Sequence, residues 1–246
     1  MNLLNQFQRV YIVNLAERHD RRKEIEAELN QLGHNVDGQK IRFFSAIRPE
    51  QPDAFPSCGA RGCFLSHLNI LKEALRDGLD NLLILEDDLT FYTACHAVTA
   101  PMTERISRND WDFAYLGHNE LTSHTESPTW LATERPVATT HFYAINGHIL
   151  PQLVAFLESC LMRPAGHPQG GAMHVDGAYS FFRMNNPHVV TLLSSPSLGG
   201  QRSSRSDIYP NKWYDRIAFT RQLATFARGL KNKKSKILMR ITGDNL

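Results

Sequence analysis

Three observations predict an α/β fold with a mostly parallel central sheet flanked by helices. Short apolar runs rich in β-branched and aromatic residues alternate with segments of helical periodicity. The run Leu82-Leu83-Ile84-Leu85 stops abruptly in Glu86-Asp87-Asp88, which puts charge at a strand end, where such sheets collect ligands. No clear linker or internal repeat divides the 246 residues, enough for one substantial core or two small ones.

Val10 to Leu15 reads as a short buried strand. A helix follows over Asp20 to Leu32, with Asp20 as N-cap, Ile25, Leu29 and Leu32 inward, and Gly33 as the stop. Its first turn is unusual. Arg21, Arg22 and Lys23 sit at the positive end of the helix dipole, and Arg18 and His19 add to the charge. A bound phosphate would offset that repulsion and use free backbone N–H groups; a solvated basic turn is the alternative. A strand over Lys40 to Ser45 leads into a Pro-rich loop from Pro49 to Pro56. Gly62 to Arg76 has helical spacing, with Leu65, Leu68, Leu71, Ala74 and Leu75 inward and Gly78 after its end. Leu82 to Leu85 is the strand that delivers the acidic cluster.

Asp112 to Gly117 reads as another buried strand, and Leu121 to Arg135 as a polar excursion. Val137 to Ile145 is a strand, and Gly147 to Glu158 a helix that tolerates Pro151 near its start. A Gly/Pro/His loop over Arg163 to Gly171 precedes a short helix from Asp176 to Arg183. Val189 to Leu193 is the last strand, and Ser194 to Asp207 a polar loop.

Composition narrows the function classes. Hydrophobic content of 42% and charged content of 21% are ordinary for a soluble globular protein. No apolar run is long enough to span a bilayer, and Met1 to Arg9 lacks the apolar block of a signal peptide, so a cytoplasmic location is expected. Cys58, Cys63, Cys95 and Cys160 form no CxxC pair and read as reduced thiols. Of the Lys and Arg residues, eight fall in residues 216–240 with no acid among them, which leaves the rest of the chain net acidic. Phe219, Leu223, Phe226 and Leu230 recur there at helical spacing between Arg221, Arg228 and Lys231. That pattern suits an amphipathic helix on an anionic membrane surface, peripheral to the inner face of a bacterial inner membrane. The acidic body argues against a nucleic-acid partner, and a solvated tail is the remaining alternative. The expected division is residues 1–215 for the α/β domain and 216–246 for the tail.

Three adjacent carboxylates repel one another unless a cation sits between them. Oxygen ligands at a strand end suit Mg²⁺ or Mn²⁺, which can hold a diphosphate. Alternation along an extended backbone puts Glu86 and Asp88 on one face and Asp87 on the other. A solvated acidic strand end is the plain alternative.

Several short pieces, in one order, resemble glycosyltransferase family 25, the lipopolysaccharide galactosyl- and glucosyltransferases and the collagen galactosyltransferases. They are Val10 to Leu15 with Arg18 and Arg21-Arg22, Gly62-Cys63-Phe64-Leu65-Ser66-His67, and Leu83 to Asp88. Tyr115-Leu116-Gly117, Tyr143-Ala144-Ile145, Val175-Asp176, Gly200-Gln201 and Ser206-Asp207 follow. The pieces span roughly residues 9–210.

The resemblance implies a GT-A-like fold, a nucleotide-sugar donor such as a UDP-sugar, Mn²⁺ or Mg²⁺, and inversion at the anomeric carbon. It assigns Asp88 as metal ligand, with Glu86 at the ribose or in the metal's outer shell and Asp87 beside it in donor binding. Arg18, Arg21 and Arg22 fall to nucleotide and phosphate contacts, and Asn14, Ser66 and His67 to the donor site, with a hydrogen-bonded core or edge histidine as the alternative for His67. Gln201 and Asp207 lie in a loop able to close over the donor. Asp176 is the expected general base, with a helix cap as its alternative role. His174 is a third metal ligand or an acceptor contact, unless it is structural. Trp213-Tyr214 could stack on a sugar or simply pack. The expected acceptor is a lipopolysaccharide oligosaccharide or another glycolipid, and the expected donor UDP-galactose. Two rivals stand beside this: a glycoside hydrolase with paired carboxylates, whose acids must flank a bond rather than adjoin, and a catalytically inactive nucleotide-sugar or carbohydrate-binding module.

Overall fold

A computed structural model describes residues 3–120 and 127–202. In chain order the elements are β1 (Arg9–Asn14), α1 (His19–Gln31), β2 (Ile41–Ser45), α2 (Cys58–Arg76), β3 (Asn81–Glu86) and β4 (Leu89–Phe91). Then come α3 (Thr93–His96), α4 (Ala100–Ser107), β5 (Phe113–Gly117), β6 (Thr129–Ala132) and β7 (Phe142–Asn146). The chain continues through α5 (Leu150–Met162), α6 (Val175–Asn185), β8 (Thr191–Ser195) and β9 (Gly199–Gln201). Seven strands form one sheet in the order β2-β1-β3-β7-β5-β8-β6, and β4 pairs with β9 in a second, two-stranded sheet. Within the large sheet β7 and β6 run against the other five strands, so it is mostly parallel, as expected.

Both faces of this sheet are covered, which is why its central strands read as continuous apolar runs. Leu82 and Ile84 of β3 enter the core under α2, α5 and α6, while Leu83 and Leu85 enter a second core with Ile25 and Leu29 of α1 and Met102 and Ile106 of α4. Val10 lies opposite both Ile41 and Leu83, in register across three parallel strands. The three strands therefore end together, and the loops after β1, β2 and β3 gather on one edge of the sheet.

Local details differ from the sequence reading for identifiable reasons. Asp20 is inside the first turn of α1 and not its cap; the cap position is Arg18, whose side chain makes no capping hydrogen bond. Gly33 does close this helix with φ +77°, as the stop required. Helix α2 begins four residues earlier than expected, because Ser57 Oγ accepts from the Ala60 N–H and caps it there. Its buried face is Phe64, His67, Leu68, Leu71 and Ala74; Leu65 is only partly buried and Leu75 is exposed. The polar excursion after Leu121 contains the edge strand β6, and the loop after Leu193 contains β9, a strand of two glycines and a glutamine with no apolar signal. Among the described residues no helix is long and apolar enough to cross a membrane. The predicted tail helix, Trp213-Tyr214 and Asp207 lie outside the described residues.

Candidate functional site

Strand β3 carries Glu86 to its end, and the next two residues form a turn into β4. Alternation along β3 decides what each carboxylate meets. Glu86 lies on the α2 side, near His67, whereas Asp87 turns toward α1. Asp88 is already in the turn, so the strand argument reaches one residue too far, but it still lines the same cleft as Glu86. That cleft, about 240 Å³, is lined by Val13, Arg21, Ile47, Arg48, Gly62 and Cys63 together with Ser66, His67, the three acids and Gln201.

The three acids have separate environments. Asp87 is buried and fully engaged: Arg21 Nη1 donates to its Oδ1 at 2.9 Å and Asn14 Nδ2 to its Oδ2 at 2.8 Å. Glu86 is 17% exposed and accepts from Gln201 Nε2 at 2.8 Å. Burial, then the charges of Asp88, Asp87 and Asp176, push its carboxyl up to about 8. Asp88 is raised as well, by burial first, with Arg21 at 3.9 Å opposing. Its Oδ1 is buried with no hydrogen-bond partner. A buried oxygen without a donor beside a second raised carboxylate fits the donor set of a divalent cation.

The basic turn is largely satisfied by the protein itself. Arg21 is buried on Asp87, so one anion at the start of α1 is an internal carboxylate. Arg18 pairs with Asp20, whose carboxyl this guanidinium holds well below the usual range. Arg22 lies 4.3 Å over the Phe43 ring and donates to Asn14 Oδ1 at 3.3 Å. Asn14 thereby ties β1, α1 and the acidic turn together.

On α2, Ser66 Oγ donates to Gly62 O at 2.7 Å and accepts from the Ile47 N–H at 2.8 Å, which fastens the loop after β2 to the helix. His67 is wholly buried. Its Nδ1 shares a 2.7 Å hydrogen bond with Tyr143 Oη, which in turn meets Tyr179 Oη at 3.0 Å. Its Nε2 has no hydrogen-bond partner and lies 3.9 Å from Glu86 Oε1. Burial lowers the imidazole to about 4, so it is neutral at pH 7. Cys63 stands one turn earlier on the same helix; burial, then the neighbouring carboxylates, hold its thiol well up and protonated. Cys63 Sγ, a His67 ring nitrogen and a Glu86 oxygen all lie within 4.8 Å of one another.

Asp176 and His174 stand at the start of α6, outside the lining of the cleft. Asp176 Oδ1 accepts from the Gly177 N–H at 2.8 Å. Burial raises its carboxyl while His174 opposes, and its own charge in turn raises Glu86 and Cys63, which marks it as a neighbour of the cleft. The structure therefore brings Asn14, Arg21, Ser66, His67, Glu86, Asp87, Asp88 and Gln201 to one place, with Arg18 and Arg22 beside it. Sequence reasoning missed Arg202. Its backbone N–H donates to Asp88 O at 2.8 Å, and its guanidinium to Asp87 O at 2.9 Å and Leu89 O at 2.8 Å, clasping the acidic turn. It also missed Arg48, an exposed cation on the cleft rim paired with Glu17, for which its position just after β2 was the available signal.

A human protein named inactive glycosyltransferase 25 family member 3 is 30% identical over 140 residues, covering 49% of this chain and 23% of its own length. Procollagen galactosyltransferase 1-B of Xenopus laevis is 29% identical over 133 residues, 47% of this chain and 22% of its own. The chain thus spans under a quarter of the length of these two relatives. A glycosyltransferase involved in glycosylating the major capsid of PBCV-1 aligns over 75% of this chain and 91% of its own, at 11% identity and a TM-score of 0.38, too low to establish a shared fold. The family described as glycosyltransferase family 25 (LPS biosynthesis protein) matches residues 7–144, more than half of the chain and inclusive of Glu86, Asp87 and Asp88, and the protein belongs to that family.

Proposed function

We propose that this protein is an inverting, divalent-metal-dependent glycosyltransferase that moves a hexose, galactose from UDP-galactose, onto a lipopolysaccharide or lipid-linked oligosaccharide. The observation that carries the proposal is the pair Glu86 and Asp88, two carboxylates raised by burial in one cleft, with Asp88 Oδ1 lacking a donor. Asp88 would hold Mn²⁺ or Mg²⁺, with Glu86 at the ribose or in the outer shell. When bound, such an ion stabilises negative charge on a leaving diphosphate. Arg18 and Arg22, at the start of α1, would be the phosphate contacts. Arg21 acts one step removed, by holding Asp87 and with it the shape of the turn.

Asp176 is the proposed general base. It takes the proton of the acceptor hydroxyl, whose oxygen bonds to the anomeric carbon as the bond to the diphosphate breaks, giving a β-linked product. Its raised carboxyl supports this role, because a base works best with its pKa near the operating pH. The names of relatives support galactose: those of procollagen galactosyltransferases state the sugar, though for collagen. The basic run over 216–240 would bring the chain to an anionic membrane where a glycolipid acceptor resides.

The test is transfer from UDP-galactose to a soluble oligosaccharide acceptor, with the linkage read by NMR. A β-linked product is expected, and Asp176→Asn should lower turnover by about 10²–10⁴-fold with little change in donor affinity. An equal loss in both would make Asp176 structural. A second reading, an inactive nucleotide-sugar-binding module, has one observation in its favour: a matched human relative is named inactive. Donor binding without turnover on any acceptor would establish it.

A further inference from the structure

The buried corner between α2 and the end of β3 contains a donor set unlike the one expected of a hard-cation site. Cys63 and His67 are four residues apart on α2, so their side chains project from one helix face. Glu86 approaches from β3, and the sulfur, a ring nitrogen of His67 and a carboxylate oxygen lie within 4.8 Å of one another. His67 Nε2 is wholly buried, has no hydrogen-bond partner and faces Glu86 Oε1 at 3.9 Å. The opposite ring nitrogen bonds Tyr143 Oη, which is backed by Tyr179 Oη. In the tautomer whose Nδ1–H donates to Tyr143, Nε2 carries the free lone pair, 3.9 Å from Glu86 Oε1. Metal-bound histidines are held by this kind of outer hydrogen bond. Gln201 anchors the other oxygen, Glu86 Oε2, and leaves Oε1 facing the ring.

We propose that Cys63, His67 and Glu86 form a zinc-type site, with a fourth position open toward the cleft. A thiolate, an imidazole and a carboxylate select a borderline-soft ion such as Zn²⁺ over Mg²⁺ or Mn²⁺. The metal displaces the thiol proton, and any proton on Glu86, to solvent as the sulfur–metal and oxygen–metal bonds form. Because Glu86 is shared with the proposed donor site, zinc and nucleotide-sugar binding oppose each other. The zinc site itself stands without the sugar-transfer proposal.

The experiment is titration of the tag-free full chain with Zn²⁺ by calorimetry, and with Co²⁺ by absorption spectroscopy. One equivalent of Zn²⁺ should bind, and the Co²⁺ form should show thiolate charge-transfer absorption. Cys63→Ser should weaken Zn²⁺ binding at least tenfold and abolish that absorption. The Cys58→Ser, Cys95→Ser and Cys160→Ser variants should retain both. If Cys63→Ser does not fold, Glu86→Gln takes its place, with the same loss of Zn²⁺ affinity expected. Zinc binding that survives loss of Cys63 or Glu86, a Co²⁺ spectrum without thiolate absorption, or no binding would overturn the proposal. Mn²⁺-dependent nucleotide binding in Cys63→Ser reports separately on the donor site.

Discussion

Asp87 and Asp88 are adjacent, yet their surroundings assign them opposite duties. Asp87 has a bond to each oxygen, from Arg21 and Asn14, so its charge is already neutralised and shared between β1 and α1. Removing it would break a buried, hydrogen-bonded ion pair, which costs about 3–5 kcal/mol. Asp87→Ala is therefore expected to lower the unfolding free energy by that order in urea denaturation. A loss under about 1 kcal/mol would contradict the structural role. At this scale the sequence disclosed the cluster but not the partition. That the three acids mattered was visible in an apolar strand ending in charge. Which acid Arg21 takes depends on a contact 66 residues away, and Arg202 clasps the turn from still farther along the chain.

Among the elements, α2 and the loop after β2 depend on each other. Gly62 lets the helix approach that loop: a Cβ there would stand 2.3 Å from Ile47 O and 3.0 Å from Pro49 Cδ. Ser66 then bonds both Gly62 O and the Ile47 N–H. Gly62→Ala should destabilise the fold by about 1–3 kcal/mol through overpacking, read as a lower thermal midpoint, and should perturb the cleft that Ile47 and His67 line. An unchanged midpoint would mean the loop yields freely. Helices with apolar periodicity and strands buried on both faces were legible because their pattern is local. Strands β6 and β9 were not. Trp130 and Leu131 of β6 sit in a polar stretch, and Gly199-Gly200 pack by having no side chain where Tyr92 and Leu89 come close. Their strand character comes from partners distant in sequence.

For the whole molecule, the buried acids link stability to pH. Glu86 is raised from 4.5 to about 8, so between those values the folded chain keeps a proton that the unfolded chain has lost. Stability from this group therefore falls as pH rises through that window. His67, lowered from 6.5 to about 4, acts oppositely: the unfolded chain takes up a proton that the folded chain rejects, so stability falls as pH drops from 6.5. Above pH 6.5 only the carboxylate effect remains of these two. Metal-free protein should lose stability from pH 6.5 to 8, by at most about 1.4 kcal/mol per pH unit for one proton. Glu86→Gln should flatten that slope; a slope unaltered by the substitution would assign it to other groups. The mostly parallel sheet and the placement of the turns after β1 and β3 at strand ends were legible from alternating elements, while Cys63 near His67 and Glu86 required the packed α2.

In the proposed function Asp88, with Glu86 at the ribose or in the outer shell, would hold a divalent cation that in turn holds a nucleoside diphosphate. Calorimetric titration with UDP, in Mn²⁺ and in chelator, on the wild-type chain and on folded Asp88→Asn, addresses it directly. UDP should bind the wild type at least about tenfold tighter with Mn²⁺, a difference of about 1.4 kcal/mol, and Asp88→Asn should erase the gain. Equal UDP affinity with and without Mn²⁺, a gain that survives in Asp88→Asn, or no UDP binding at all would contradict it.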